Sequence, residues 1–234
     1  MDSIRDRYNE VWAEVGAACR RSERDPDGVR IVAVTKTQPV EILQAAREQG
    51  ITVFGENRVQ ELLQKQTALS PGIEWHLIGT LQRNKAKFVV GRAALIHSVD
   101  SAKLARTISM EALATGVTQD VLLQINIAEE PSKHGFSAED ILTEIKEISA
   151  LKGIKVKGLM TMAPYTDEPE SVRFVFKKLK DLSKRIAELH LPGIEMRELS
   201  MGMSNDFAVA VEEGATLIRV GSRIFGERNY KEEK

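Results

Sequence analysis

From Ile31 to Val34 the chain carries four apolar residues in a row, closed off by Lys36 and then Pro39. An unbroken apolar run of this kind fits a strand buried on both faces. Pro39 fits the first turn of the helix that follows, "VEILQAAREQG", which stops at Gly50. The same alternation recurs downstream. "ITVFG", "PGIEWHLIG", "ALIHSVD", "QDVLLQINIA", "IKVKGLMTM", "IEMRELSMG" and "ATLIRVGSRIFG" contain the remaining strands. Between them lie helical stretches such as "ENRVQELLQKQTAL", "SAKLARTISMEALATG" with Ser101 as N-cap, a helix from about Ser137 to Leu151, and "PESVRFVFKKLKDLSKRIAELH". Upstream, Ile4, Tyr8, Val11, Trp12, Val15 and Ala18 repeat at helical spacing and predict an extra helix before any strand. Eight strands alternating with helices in roughly 200 residues point to an α/β fold, a (β/α)8 TIM barrel. The expected domain is single and spans 1–234. A doubly wound open sheet often has a glycine fingerprint after its first strand, and none is present.

The barrel gives the strand-end residues a meaning, because active sites of this fold sit at the C-terminal ends of the strands. Lys36 is such a position. It is either a lysine that snorkels to the surface or an amine that reaches into a site. Asn57, His76, Ser98, Asn126 and Met160 occupy related places on strands two to six. His76 also fits a satisfied core histidine, and Met160 also fits packing. Strand seven ends in "LSMGMSNDF", strand eight in "RVGSRIFG". Ser200, Ser204, Gly221 and Ser222 then read as a phosphate cradle of hydroxyls and backbone amides, with Gly202 permitting close approach. Ser204 or Asn205 would cap the next helix. The alternative is a pair of ordinary Gly/Ser turns. Arg219, inside strand eight, needs a buried partner. An unprotonated pyridine nitrogen would serve, and so would a carboxylate such as Glu198 or Glu195.

Composition narrows the partners. The formal net charge is −1 and the pI about 6.5, which disfavours nucleic acid and anionic membrane. Cys19 is the one cysteine, so no internal disulfide or cysteine-based metal site is expected. His76, His97, His134 and His190 fall on separate elements without metal-ligand spacing. The N-terminus lacks an apolar leader core, so a cytoplasmic, soluble protein is expected.

A lysine and a phosphate site at one barrel mouth suggest imine chemistry with a phosphorylated aldehyde. Pyridoxal 5′-phosphate (PLP) is one such aldehyde, and an aldolase's sugar phosphate is another. At this point "VAVTKTQP", "FGENRVQE", "HLIGTLQRNK", "HSVDS", "GLMTMAP", "LSMGMSNDF" and "GATLIRVGSRIFGER" are decisive. In order and over about residues 30–228, they closely resemble the pyridoxal phosphate homeostasis protein family. That family resembles the barrel domain of alanine racemase, the fold type III group of PLP proteins.

The resemblance implies that Lys36 carries PLP as an internal aldimine. Ser200, Ser204, Gly221 and Ser222 would bind its phosphate, Arg219 would face the pyridine nitrogen, and Asn57, His76 and Met160 would surround the ring. Ser222 stands where threonine is more common, and Asn205 where aspartate is common. The implied role is PLP (vitamin B6) homeostasis without robust catalysis, the alternative being a racemase-like enzyme. Racemisation uses a base on each face of the substrate. The relatives' second base is a tyrosine from a partner subunit with an extra β domain, which is not expected here because the chain ends eight residues after Gly226. Of Tyr8, Tyr165 and Tyr230, only Tyr165 lies near a strand end. The expected partners are PLP, free amino acids or PLP-dependent apoenzymes, and the expected state is a monomer.

Overall fold

The computed structural model describes residues 3–69, 71–129 and 134–226. The strands are β1 (Arg30–Val34), β2 (Val53–Glu56), β3 (Glu74–Leu77), β4 (Leu95–Val99), β5 (Gln119–Gln124), β6 (Ile154–Met160), β7 (Ile194–Met203) and β8 (Leu217–Val220). Each pairs in parallel with its sequence neighbours, and β8 returns to β1 with Val32 opposite Arg219, so the sheet closes into a barrel. The helices are α1 (Ile4–Arg21), α2 (Val40–Glu48), α3 (Val59–Ala68), α4 (Ala86–Val89), α5 (Ala102–Ala114), α6 (Ala138–Ser149), α7 (Arg173–Ala187), α8 (Phe207–Glu212) and α9 (Ser222–Phe225). This is the (β/α)8 architecture expected from the alternation, with the extra N-terminal helix in place.

Two apolar layers hold it together. Outward-facing strand residues such as Ile31, Ala33 and Phe54 pack against the helices, and Phe54 meets Trp75 edge to face at 5.6 Å. Inside the barrel, Val32, Leu95, Leu122, Met160 and Leu217 form a separate buried cluster. Both follow from the period-2 alternation of strands. Each buried Val, Leu, Ile or Met side chain stabilises the fold by roughly 1.5–3 kcal/mol before entropy is counted.

Local chemistry fixes the ends. Ser3 and Asp6 form a capping box on α1, which buries Val11, Val15, Ala18 and Cys19. Arg7 of α1 donates to the carbonyl of Ile224 in α9 at 2.6 Å. Ser101 caps α5 through the amide of Leu104, and Ser137 caps α6 through that of Asp140. Pro39 stands one place before α2, at its N-cap. After β3 the chain makes a 3-10 turn (Arg83–Lys85) and the short α4, which buries Ala86 and Val89. Part of the loop "EEPSKHG" lies outside the described residues. No helix among the described residues is long and apolar enough to cross a membrane.

Candidate functional site

β1 ends at Val34, and the next two residues carry the chain over the C-terminal mouth of the barrel. The backbone around Lys36 is gripped from both sides. The Lys65 ammonium donates to the carbonyl of Thr35 at 2.8 Å, and the Thr35 hydroxyl donates to Oε1 of Glu56 at 2.5 Å. Lys65 and Glu56 form an ion pair at 2.7 Å, with side chains 8% and 0% exposed. Burial pushes the Glu56 carboxyl up from its ordinary range, while bonds from Lys65 and Thr35 pull it back. On the other side, the amide of Thr37 donates to Oε2 of Glu61 at 3.1 Å. Thr37 sits at φ 64°, a left-handed conformation that a β-branched residue adopts only when its surroundings impose it. A rigid, strained support of this kind is a feature of functional strand ends.

Lys36 opens onto a cleft of about 420 Å³ lined also by Asn57, Ser204, Arg219, Gly221 and Ser222. Arg219 is 5% exposed. Its Nη1 donates to the Ser200 hydroxyl at 2.6 Å and its Nη2 to the Thr161 carbonyl at 2.9 Å. Burial lowers its pKa to about 10, opposed by the carboxylate of Asp206. The carboxylates considered from sequence are committed elsewhere. Glu198 pairs with Arg30 at 3.3 Å and accepts from Thr216, and Glu195 pairs with Lys157 at 2.6 Å.

The loops after β7 and β8 meet where the amide of Gly221 donates to the Ser204 hydroxyl at 3.3 Å. Ser222 opens α9 immediately beside them. Gly202, at φ 89°, is required by packing: a Cβ there would stand 2.6 Å from that of Ala210 in α8. Its close approach is to a helix, not to a ligand. Neither Ser204 nor Asn205 caps α8. The N-cap is Asp206, whose Oδ1 instead accepts the amide of Met203 at 2.6 Å. Asn205 donates to the carbonyl of Thr166 and ties this loop to the one after β6.

Three candidates do not line the cleft. His76 has no exposed surface and lies between Glu74 and His97, with ring nitrogens 2.7 Å from the carboxylate and 2.9 Å from the second imidazole. Met160 belongs to the inner barrel cluster. Ser200 is fully buried, its hydroxyl accepting from Arg219 and lying 2.9 Å from Nδ1 of His97. The cause is depth. The β7–β8 register shifts between Ser200 and Met203, so Ser200 stands level with Leu217 while Met203 stands level with Arg219. Two other strand-end residues also lie elsewhere: Ser98 donates to the carbonyl of Gly79 at 2.6 Å, and Asn126 lines a second cavity. Conversely, Gln38, Ile78, Met162, Tyr165, Thr166 and Asp206 line the cleft without having been singled out as cofactor contacts. Asp206 follows Asn205 within "LSMGMSNDF" after strand seven, and that position is its signal in the sequence. Tyr165 is 83% exposed and its hydroxyl donates to Asp167 at 3.2 Å.

Comparison with known proteins bears on the family and the fold. Residues 17–229 match the family described as alanine racemase, N-terminal domain. A pyridoxal phosphate homeostasis protein of Aquifex aeolicus is 40% identical over 226 residues, which cover 96% of this chain and 98% of that protein. Its namesake in Escherichia coli is 33% identical over 98% of this chain and 99% of its own length. The structure of PipY from Synechococcus elongatus with PLP bound superposes with a TM-score of 0.80 at 36% identity, covering 92% of this chain and all of that one (100%). Alanine racemase of Clostridium difficile in complex with cycloserine shares the fold alone, with a TM-score of 0.76 at 16% identity over 99% of this chain and 61% of the enzyme. The chain therefore belongs to the alanine racemase N-terminal domain family and, within it, to the pyridoxal phosphate homeostasis proteins.

Proposed function

We propose that this protein holds PLP in the cleft at the C-terminal mouth of its barrel and serves the balance of the cofactor's supply in the cytoplasm, without robust turnover of amino acids. The observation that carries the proposal is the convergence of a strand-end amine, Lys36, and a buried guanidinium, Arg219, on a cleft flanked by Ser204, Gly221 and Ser222. When bound, PLP supplies an aldehyde that condenses with a primary amine, releasing water, and a ring that takes up electrons. The donor set fits each part of that molecule. Lys36 would hold the aldehyde carbon, the hydroxyls of Ser204 and Ser222 with the Gly221 backbone would hold the phosphate, and Arg219 would donate to the ring nitrogen. Asn57 would flank the ring, with the apolar walls supplied by Ile78 and Met162.

Two features support a carrier over an enzyme. An arginine can only donate, so a ring nitrogen against it stays unprotonated and the ring is a weaker electron sink. Tyr165 lines the cleft, but it is 83% exposed and its hydroxyl donates to Asp167, which favours a surface role over that of a positioned second base. PLP is the expected partner, with free amino acids or PLP-dependent apoenzymes as recipients, and the expected state is a monomer.

The test is borohydride reduction of PLP-loaded protein followed by peptide mapping. The cofactor's mass is expected on the peptide that contains Lys36, and Lys36→Ala is expected to abolish it. A protein that stays colourless and unlabelled with PLP would overturn the proposal. Turnover of any common amino acid at ordinary enzyme rates, on the order of 1–10³ per second, would overturn the carrier half of it.

A further inference from the structure

A continuous line of hydrogen bonds runs through the barrel interior from one mouth to the other. At the N-terminal mouth, Glu74 is the first residue of β3, 39% exposed and paired with Arg30 at 3.0 Å. Its Oε1 lies 2.7 Å from Nε2 of His76. Nδ1 of His76 lies 2.9 Å from Nε2 of His97, and Nδ1 of His97 lies 2.9 Å from the Ser200 hydroxyl. That hydroxyl accepts from Nη1 of Arg219 at 2.6 Å. Arg219 opens into the cleft at the C-terminal mouth. The two histidines and Ser200 have no exposed surface, and Arg219 has 5%.

The chemistry of the two ends gives the line a direction. Arginine can only donate, and an ionised carboxylate can only accept. Read from the Arg219 end, where the Ser200 oxygen accepts and its own proton needs an acceptor, every member then has one assignment. Arg219 donates to Ser200, Ser200 to Nδ1 of His97, His97 through Nε2 to His76, and His76 through Nε2 to Glu74. The opposite tautomer of His97 would put two hydrogens against the Ser200 oxygen besides its own and leave the serine proton without an acceptor in the line. The groups that face these rings favour the first arrangement. Glu74, Arg30 and Glu198 lie at the outer end, and Arg219 with Asp206 behind it lies at the inner end. Burial, with the positive charge of Arg219 near it, holds His97 well below the usual imidazole range, so it carries one proton.

We infer that Glu74, His76 and His97 are positioning residues that act through Ser200 on Arg219, so that the carboxylate at one mouth of the barrel sets the hydrogen-bonding state of the guanidinium at the other. This extends the proposed function: its effect on the cofactor rests on the ring nitrogen lying against Arg219, while its tautomer assignment stands without any ligand. None of the three residues lines the cleft.

The experiment has two arms. In the ligand-free protein, nitrogen NMR of the imidazoles is expected to show His97 protonated at Nε2 and bare at Nδ1. A proton on Nδ1 of His97 would overturn the inference. In the second arm, Glu74→Gln and His97→Leu are loaded with PLP. Both are expected to shift the absorption maximum of the bound cofactor and to weaken its retention about fivefold or more. His97→Asn, which keeps an acceptor near Ser200, is expected to restore the parental spectrum. Folding is checked by circular dichroism, and Glu74→Gln, at a half-exposed site, guards against loss of fold in the core variant. Folded variants with the parent's spectrum and affinity would overturn the inference even if the proposed function held. Failure of the parent to take up PLP at all would overturn the proposed function and, with it, the coupling to the cofactor, leaving the tautomer result to decide the line itself.

Discussion

Nε2 of His97 lies 2.9 Å from Nδ1 of His76, and neither ring has any exposed surface. The rings are tilted by 49° with centroids 5.0 Å apart. A buried polar column of this kind is tolerable only when each member is satisfied, because an unpaired polar group in a low-dielectric interior is costly. Every contact along it is a hydrogen bond of ordinary length. The barrel interior is therefore an apolar layer threaded by one polar line, and the line begins at a carboxylate that water can reach.

That carboxylate gives a stability signal in acid. The hydrogen bond from His76, with smaller help from Arg30, lowers the Glu74 pKa from 4.5 to about 2. A carboxylate depressed on folding contributes stability that is present above its unfolded pKa, near 4.5, and is lost as the pH falls through about 2. The half-exposed position discounts this to about 1 kcal/mol. Urea midpoints of the parent and Glu74→Gln are expected to differ at pH 7 and to converge as the pH approaches 2. A difference that stays constant across that range would contradict this account.

The Glu56–Lys65 pair beneath Lys36 is expected to behave asymmetrically. Lys65→Met leaves a buried carboxylate without its partner and should cost about 3–5 kcal/mol. The carboxyl is already raised by burial and would rise further, so the loss should grow with pH as it passes through the folded pKa. Glu56→Gln combined with Lys65→Met should recover most of the loss. Denaturant titration of the three variants at pH 5 and pH 8 checks the pattern. A double variant no more stable than Lys65→Met would show that the pair does not act as a unit.

Met160 provides a control for the placement of the site. It packs with Val32, Leu95, Leu122 and Leu217 inside the barrel. Met160→Leu keeps the volume and should change stability by less than about 1.5 kcal/mol. PLP retention should be unchanged, as measured by absorbance after gel filtration. Loss of the cofactor from a folded Met160→Leu protein would place Met160 at the ring after all.

How far the sequence could be read depended on depth. The strand order, the extra helix, Lys36, Arg219 and the Gly221–Ser222 turn were legible, because period-2 alternation and strand-end position report face and direction. His76, Met160 and Ser200 also belong to the barrel interior, but the pattern does not say in which layer. That is set by the stagger of the strands and by irregular register. The shift between Ser200 and Met203 sinks the serine one layer below the mouth. The meeting of His76 with His97 was hidden for a related reason. They are 21 residues apart on strands β3 and β4, and only barrel closure and register turn that separation into a hydrogen bond. The Glu56–Lys65 pair was masked because both residues fall in "ENRVQELLQKQTAL", which reads as one helix, whereas Glu56 closes β2 and Lys65 lies in α3.

Ser204 is where the phosphate assignment can be separated from plain loop architecture. Its hydroxyl accepts from the amide of Gly221 at 3.3 Å, so it joins the loops after β7 and β8 whether or not an anion is bound. A neutral bond of this length at a half-buried site contributes about 0.5–1 kcal/mol to the fold. A hydroxyl that also donates to a phosphate dianion gains a charge-assisted bond worth about 1.5–3 kcal/mol, or roughly ten- to a hundredfold in affinity. Pyridoxal, which lacks the phosphate, cannot gain it. Ser204→Ala should therefore weaken PLP by about tenfold or more while leaving pyridoxal nearly unchanged, and Ser222→Ala should act in the same direction. Equilibrium titration of the parent and both variants with the two aldehydes gives the comparison. If Ser204→Ala weakened both equally, the hydroxyl would be a loop staple, and the phosphate would have to be sought at other groups around Gly221.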